Sequence, residues 1–113
     1  MACGAKQARA FVEKYLVDNA DALNDVINAL FWYGEPAMQE VRSAALLTGI
    51  LEDGGFQVDR GISGFPTGFM ATYGSGSPVV AVHTEYDAAP DNSQKPGVAA
   101  HDPIIPGAPG HCE

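Results

Sequence analysis

The spacing of apolar residues changes once along this chain, at Gly54-Gly55, and that change limits the folds open to it. Before the glycines the period is helical. Ala8, Phe11, Val12, Tyr15 and Leu16 follow the i, i+3, i+4, i+7, i+8 pattern, and Leu23, Val26, Ile27, Leu30 and Phe31 repeat it. Asp18, Asn19 and Asp21 lie between the two stripes and offer turn and N-cap oxygens. Gly34 and Pro36 interrupt the second stripe, and a third helix is expected from about Ala37 to Glu52, with Val41, Ala44, Leu47 and Leu51 as its stripe. Ser43, Ala44 and Ala45 keep part of that face small enough to pack on a sheet. Gly54-Gly55 should stop the helix, because glycine takes the left-handed C-cap conformation at little steric cost.

After the glycines the period shortens. Phe56-Gln57-Val58-Asp59 alternates as a half-exposed strand does, Gly61, Gly64 and Pro66 mark a turn, and Thr67 to Tyr73 reads as a second strand. Gly74-Ser75-Gly76-Ser77 has the composition of a hairpin turn. Pro78-Val79-Val80-Ala81-Val82 is a continuous apolar run, the pattern of a central strand covered on both faces. Gly61, Gly64 and Gly68 do not form a phosphate loop, since no helix carrying a lysine follows them. The expectation is an α/β fold of three helices followed by a mixed sheet of about three strands. At 113 residues it is one domain, long enough to hold a core of its own.

Composition narrows the function. Fourteen acidic against six basic residues give a net charge of −8, which excludes a phosphate-neutralising role on nucleic acid and a polybasic membrane-surface role. With 46 % hydrophobic and 18 % charged residues the chain is not of disordered composition, and no apolar stretch is long enough to span a bilayer. The N-terminus has no signal-peptide core, and Cys3 and Cys112 form neither a disulfide framework nor a Cys-x-x-Cys site. A reducing, cytoplasmic setting is expected.

The chemistry concentrates after the apolar run, in Val82-His83-Thr84-Glu85-Tyr86-Asp87. If the strand persists, His83, Glu85 and Asp87 share one face at its carboxyl end, where open α/β sheets bind ligands. Their nitrogen and oxygen donors suit Zn2+ or Mn2+. The competing reading is a strand end that leaves the core and meets water. From Pro90 onward the last 24 residues hold five of the eight prolines, three glycines and no aromatic residue. Such a segment is not expected to bury enough surface to order itself. It nonetheless carries His101-Asp102 and ends in Gly110-His111-Cys112-Glu113, a concentration of potential ligands that marks a functional loop. Taken alone, His101 reads as a solvated loop residue.

Several separated blocks, in order, resemble the aminobenzoyl-glutamate hydrolase branch of the M-twenty metallopeptidases. They are Trp32, Glu35 and Gln39-Glu40 before Ser43-Ala44, then Gly55-Phe56-Gln57-Val58, Gly64-Phe65-Pro66-Thr67 and Tyr73-Gly74-Ser75-Gly76. Glu85-Tyr86-Asp87-Ala88-Ala89-Pro90, Ser93-Gln94-Lys95 and Pro106-Gly107-Ala108-Pro109-Gly110-His111 follow. The similarity runs from about Ala20 to the end of the chain. It implies that residues 1–113 are the N-terminal part of a zinc-peptidase-like α/β/α catalytic domain, with 89–113 as a Pro/Gly-rich active-site loop. It also implies an enzyme several times longer, in which an inserted dimerisation domain makes a homo-oligomer.

The resemblance further implies two divalent metals, Zn2+ or Mn2+, and a metal-activated water that hydrolyses a small aromatic amide or amino-acid conjugate. Asp87 takes the position linked to catalysis, bridging metals or orienting a ligand. Glu85 occupies the place of the histidine in relatives with a His-x-Asp motif, and His83 lies two residues upstream of it. Close relatives read Gly-His-x-Cys-Gly-His, so Glu113 stands at the ligating cysteine position and Cys112 at the variable one. A carboxylate there favours Mn2+ or another oxygen-loving ion. Glu85, Asp87 and Glu113 are the expected metal ligands, with His83, His111 and Cys112 as further candidates. Two other readings stay open: removal of an amino group from an aromatic ring on the same scaffold, and a non-catalytic interaction domain.

Overall fold

The computed structural model describes residues 4–112. Cys3 and Glu113, both singled out in the sequence, lie outside the described residues. Helices α1 (Ala5–Asp18), α2 (Ala20–Tyr33) and α3 (Val41–Asp53) come first, followed by strands β1 (Gln57–Arg60) and β2 (Phe69–Thr72), with a short 3-10 turn at Ile62–Gly64 between the strands. The fold is mixed α/β. Asn19 separates α1 from α2, and both its backbone N–H and its side-chain amide donate to the Tyr15 carbonyl. The two strands pair antiparallel, Gln57 opposite Thr72 and Arg60 opposite Phe69. The third helix is the hub, packed against α2 on one side and against both strands on the other.

Three expectations about the elements change. The third helix starts at Val41 rather than near Ala37, because Met38 takes a left-handed backbone (φ 67°) that no α-helix accommodates. Its end is where the sequence puts it, although the left-handed residue is Gly55 (φ 86°) and not Gly54. The sheet is two-stranded and antiparallel, not mixed. Residues 78–82 form no strand among the described residues, and Val79, Val80 and Val82 are 82–86 % exposed. A central strand needs a ladder on both edges, and no strand among the described residues pairs with 78–82.

The apolar stripes are also largely uncovered. Phe11, Val12, Tyr15 and Leu16 of α1 are exposed, as are Leu23 and Ile27 of α2 and Val41 of α3. Among the described residues Ala88 is the one buried apolar side chain, so those residues do not form the hydrophobic core expected from the chain's length. What it buries is mostly polar: Glu40, Ser43, Thr48 and Ser93. Each has a partner, as buried polar groups must. The hydroxyl of Thr48, for example, donates to the Ala44 carbonyl at 2.6 Å within its own helix.

A carboxylate does the joining that a core does elsewhere. Glu35 sits between α2 and α3, its side chain 11 % exposed. One oxygen, Oε1, accepts from the Arg42 N–H (3.1 Å) and Arg42 Nε (3.0 Å). The other, Oε2, accepts from the Ser43 N–H (2.9 Å) and Ser43 Oγ (2.8 Å). The two N–H groups are first-turn donors of α3, which have no partner inside the helix. Arg42 also donates to the Tyr33 carbonyl and lies 4.6 Å above the Tyr33 ring. Burial pushes the Glu35 carboxyl up, but the N–H groups of Ser43 and Arg42 and the two side-chain donors outweigh it and hold the carboxyl below its ordinary value of 4.5.

A carboxyl lowered in the folded state stabilises the fold above its unfolded value and loses that contribution as pH falls through the folded one. Acidification below about pH 4.5 should therefore loosen the α2–α3 joint. Glu35→Gln should cost about 1–3 kcal/mol at pH 7 by removing charge-assisted bonds. It should also shrink the loss of stability between pH 5 and pH 3, as measured by urea unfolding at each pH; an acid loss equal to that of the wild type would contradict this.

Candidate functional site

The segment that follows the exposed valines is placed by the same joint. The Ala88 N–H donates to the Glu35 carbonyl (2.8 Å), and Pro36 and Ala88 form a parallel bridge. One residue on, Ala89 and Gly110 exchange both backbone hydrogen bonds at 3.0 Å. Two stretches more than twenty residues apart, 85–89 and 110–112, are thereby laid side by side. Tyr86 turns away from the acidic residues flanking it: its hydroxyl donates to the Thr67 carbonyl and its ring lies 5.8 Å from that of Phe69.

A cavity of about 180 Å³ opens between the two stretches, lined by Glu85, Tyr86, Asp87, Ala89, Gly110, His111 and Cys112. Glu85, Asp87, His111 and Cys112 thus share one concavity. The side chain of His83 is not part of the lining; it is exposed, with Nε2 3.3 Å from Glu85 Oε1. His101 is exposed, as expected of a solvated loop residue. Its neighbour Asp102 is engaged by Lys95 Nζ at 2.8 Å to both carboxylate oxygens. The strand expected to carry His83, Glu85 and Asp87 on one face is absent before Ala88, and the grouping of Glu85 with Asp87 comes from the anchored backbone instead.

Residues 89–112 of the expected loop are held together without apolar burial, contrary to the expectation that the segment lacks the means to order itself. Ser93 is buried and its Oγ accepts from the Ile105 N–H (3.0 Å). Gln94 accepts from the Asp102 N–H (3.0 Å) and donates to the Ala100 carbonyl (2.9 Å). Its prolines restrict the unfolded chain, so less entropy is lost on ordering. The sequence carried this signal in Ser93, Gln94 and Asp102, which bond within the loop.

The donor chemistry of the cavity fits a divalent transition metal: two carboxylates, an imidazole and a thiol. The Nε2 of His111 is buried without a hydrogen-bond partner, and the ring packs 5.5 Å from Phe31. An orphaned buried nitrogen at the edge of an acidic cavity is what a ligand would satisfy. Among the described residues, no three His, Cys, Asp or Glu side chains are arranged to hold an ion by themselves. Cys112 is a free, exposed thiol. No helix among the described residues is long and apolar enough to cross a membrane.

Gly110 sets how closely the two stretches meet. A Cβ there would fall 2.3 Å from the Asn92 carbonyl oxygen and 2.4 Å from the Ser93 Cα, both backbone atoms. Gly34, left-handed at the end of α2, brings Pro109 close as well: a Cβ would lie 2.9 Å from the Pro109 carbonyl oxygen. Gly110→Ala should destabilise by about 1–3 kcal/mol through overpacking and part the Ala89–Gly110 bridge. Gly49→Ala, in open space on α3, should instead stabilise by about 0.5–1 kcal/mol. Thermal unfolding of the two variants checks the contrast, and equal melting temperatures would refute it.

No family model matches this sequence. No solved structure matches it either. The chain is 33 % identical over 101 residues to a subunit of the p-aminobenzoyl-glutamate hydrolase of Escherichia coli (strain K12), a match that takes in 89 % of this chain. The same residues are 21 % of that relative, so the chain spans about a fifth of the length of the curated protein to which it is similar.

Proposed function

We propose that this chain supplies one wall of the active site of a metal-dependent amidohydrolase acting on an amide of an aromatic acid or amino acid, of the aminobenzoyl-glutamate kind. The observation that carries the reading is the joint lining of one cavity by Glu85, Asp87 and His111. They come from two segments that a cross-loop bridge holds together. The similarity to a hydrolase subunit over most of the chain supports the choice of reaction class.

Asp87 and Glu85 are the ligand carboxylates in this reading, Asp87 being the one next to the Ala88 anchor. His111, whose Nε2 is buried without a hydrogen-bond partner, and the neighbouring Cys112 thiol line the same cavity and are further candidate donors. Glu113, outside the described residues, is the remaining candidate ligand. A divalent ion such as Zn2+ or Mn2+ supplies, when bound, polarisation of a carbonyl and a lowered pKa for water. The chain's own part is to hold negative charge at a fixed place and to leave the cavity open on the side where substrate enters. Glu85 is exposed on that side, with His83 Nε2 3.3 Å from its Oε1.

Metal analysis of the full-length protein and its Asp87→Ala variant tests this. The wild type should retain Zn2+ or Mn2+ and release glutamate from p-aminobenzoyl-glutamate. Asp87→Ala should lose both, the rate falling by more than the roughly 10–100-fold typical of outer-shell partners. Unchanged metal content and rate in the variant would end the proposal. Release of ammonia in place of glutamate would move the reaction to the aromatic-ring aminohydrolase reading.

A further inference from the structure

The carboxylates of Glu85 and Asp87 have little of their own to hold them. Glu85 meets only the exposed His83, and Asp87 has no hydrogen-bond partner among the described residues. Their direction is set by the backbone, and the backbone is tied by the residue between them. The Tyr86 hydroxyl donates to the Thr67 carbonyl, and Thr67 Oγ1 donates in turn to Glu40 Oε2 at 2.5 Å. Glu40 is 7 % exposed and directly precedes α3, where its carbonyl accepts the Ala44 N–H at 2.8 Å. Tyr86 also packs on Phe69 of β2. The hub helix, the sheet and the loop between the strands therefore all meet at one phenol, one residue away from each carboxylate. Tying Tyr86 to the Thr67 carbonyl therefore fixes the stretch of backbone from which Glu85 and Asp87 line the cavity.

The geometry points to Tyr86, backed by Thr67 and Glu40, as a positioning residue that fixes the register in which Glu85 and Asp87 face the cavity. The inference rests on the amidohydrolase reading for its kinetic consequence but not for its structural one.

Amide hydrogen exchange and steady-state kinetics of the full-length protein, with Tyr86→Phe, Thr67→Ser and Thr67→Val, test it. Tyr86→Phe keeps the ring on Phe69 and removes only the hydroxyl. Exchange at the Ala88 and Ala89 amides should rise up to about tenfold, the equivalent of one lost hydrogen bond, with α3 protection unchanged. The kcat for the aminobenzoyl-glutamate-type amide should fall by a similar factor while KM moves less than about twofold. Thr67→Val, which removes the Oγ1 donor to Glu40 but keeps the carbonyl that accepts from Tyr86, should show a smaller effect in the same direction, and Thr67→Ser, which keeps the hydroxyl, should behave like the wild type. Unchanged exchange at Ala88 and Ala89, or loss of protection spread through α3, would overturn the positioning role. A wild type without metal or hydrolysis would remove the amidohydrolase reading, and exchange at Ala88 and Ala89 would still decide the role of Tyr86.

Discussion

Four hydrogen bonds converge on the Glu35 carboxylate, and the backbone carbonyl of the same residue accepts a fifth. With its side chain Glu35 caps α3 and joins it to α2. With its main chain it receives Ala88 and sets where the acidic segment begins. Bonds that involve an ionised partner are stronger than neutral ones, and in a half-dry setting they are stronger still. In a chain whose one buried apolar side chain among the described residues is an alanine, that joint carries the work that packed hydrocarbon performs elsewhere. Everything downstream, from the bridge at Ala89 to the cavity wall, is measured from it.

The second constraint is steric. Gly34 and Gly110 let backbone approach backbone where any side chain would stand in the way. The approach allows residues 108–110 to lie against 89–93, and it brings His111 beside Glu85 and Asp87. Between the two contacting stretches the loop is laced by Ser93, Gln94, Lys95 and Asp102, whose side chains bond loop backbone or each other. Rigidity here comes from proline-limited backbone and satisfied polar groups. A loop built this way loses little entropy on ordering.

The site is consequently asymmetric. Its inner side is a chain of donors and acceptors running from Glu40 through Thr67 to Tyr86, and its outer side is charged and wet. Buried polar networks of this kind specify one arrangement because any other leaves a donor or acceptor unpaired.

Helical spacing in residues 8–31, the stop at Gly54-Gly55 and the alternation around Val58 were all legible in the sequence, because each depends on contacts within a few residues. The sequence paired Glu85 with Asp87 through a strand that does not form; their shared cavity comes from the backbone anchored at Ala88 and Ala89. The fate of Pro78–Val82 was not legible: an apolar run becomes a strand only when other strands lie on its edges, and that is a property of the assembled sheet. Nor did periodicity assign Glu35 its role, since a capping carboxylate that far ahead of its donors Arg42 and Ser43 leaves no periodic trace. Local spacing and residue chemistry were enough to dictate the kinds of element and the donors on offer at residues 83–87 and 110–113. It took the assembled fold to turn Tyr86 inward, to make Gly110 the point of a close crossing, and to leave His83 outside while His111 joined the cavity. Those outcomes depend on which distant backbone atoms meet, and nothing in the order of neighbouring residues encodes that.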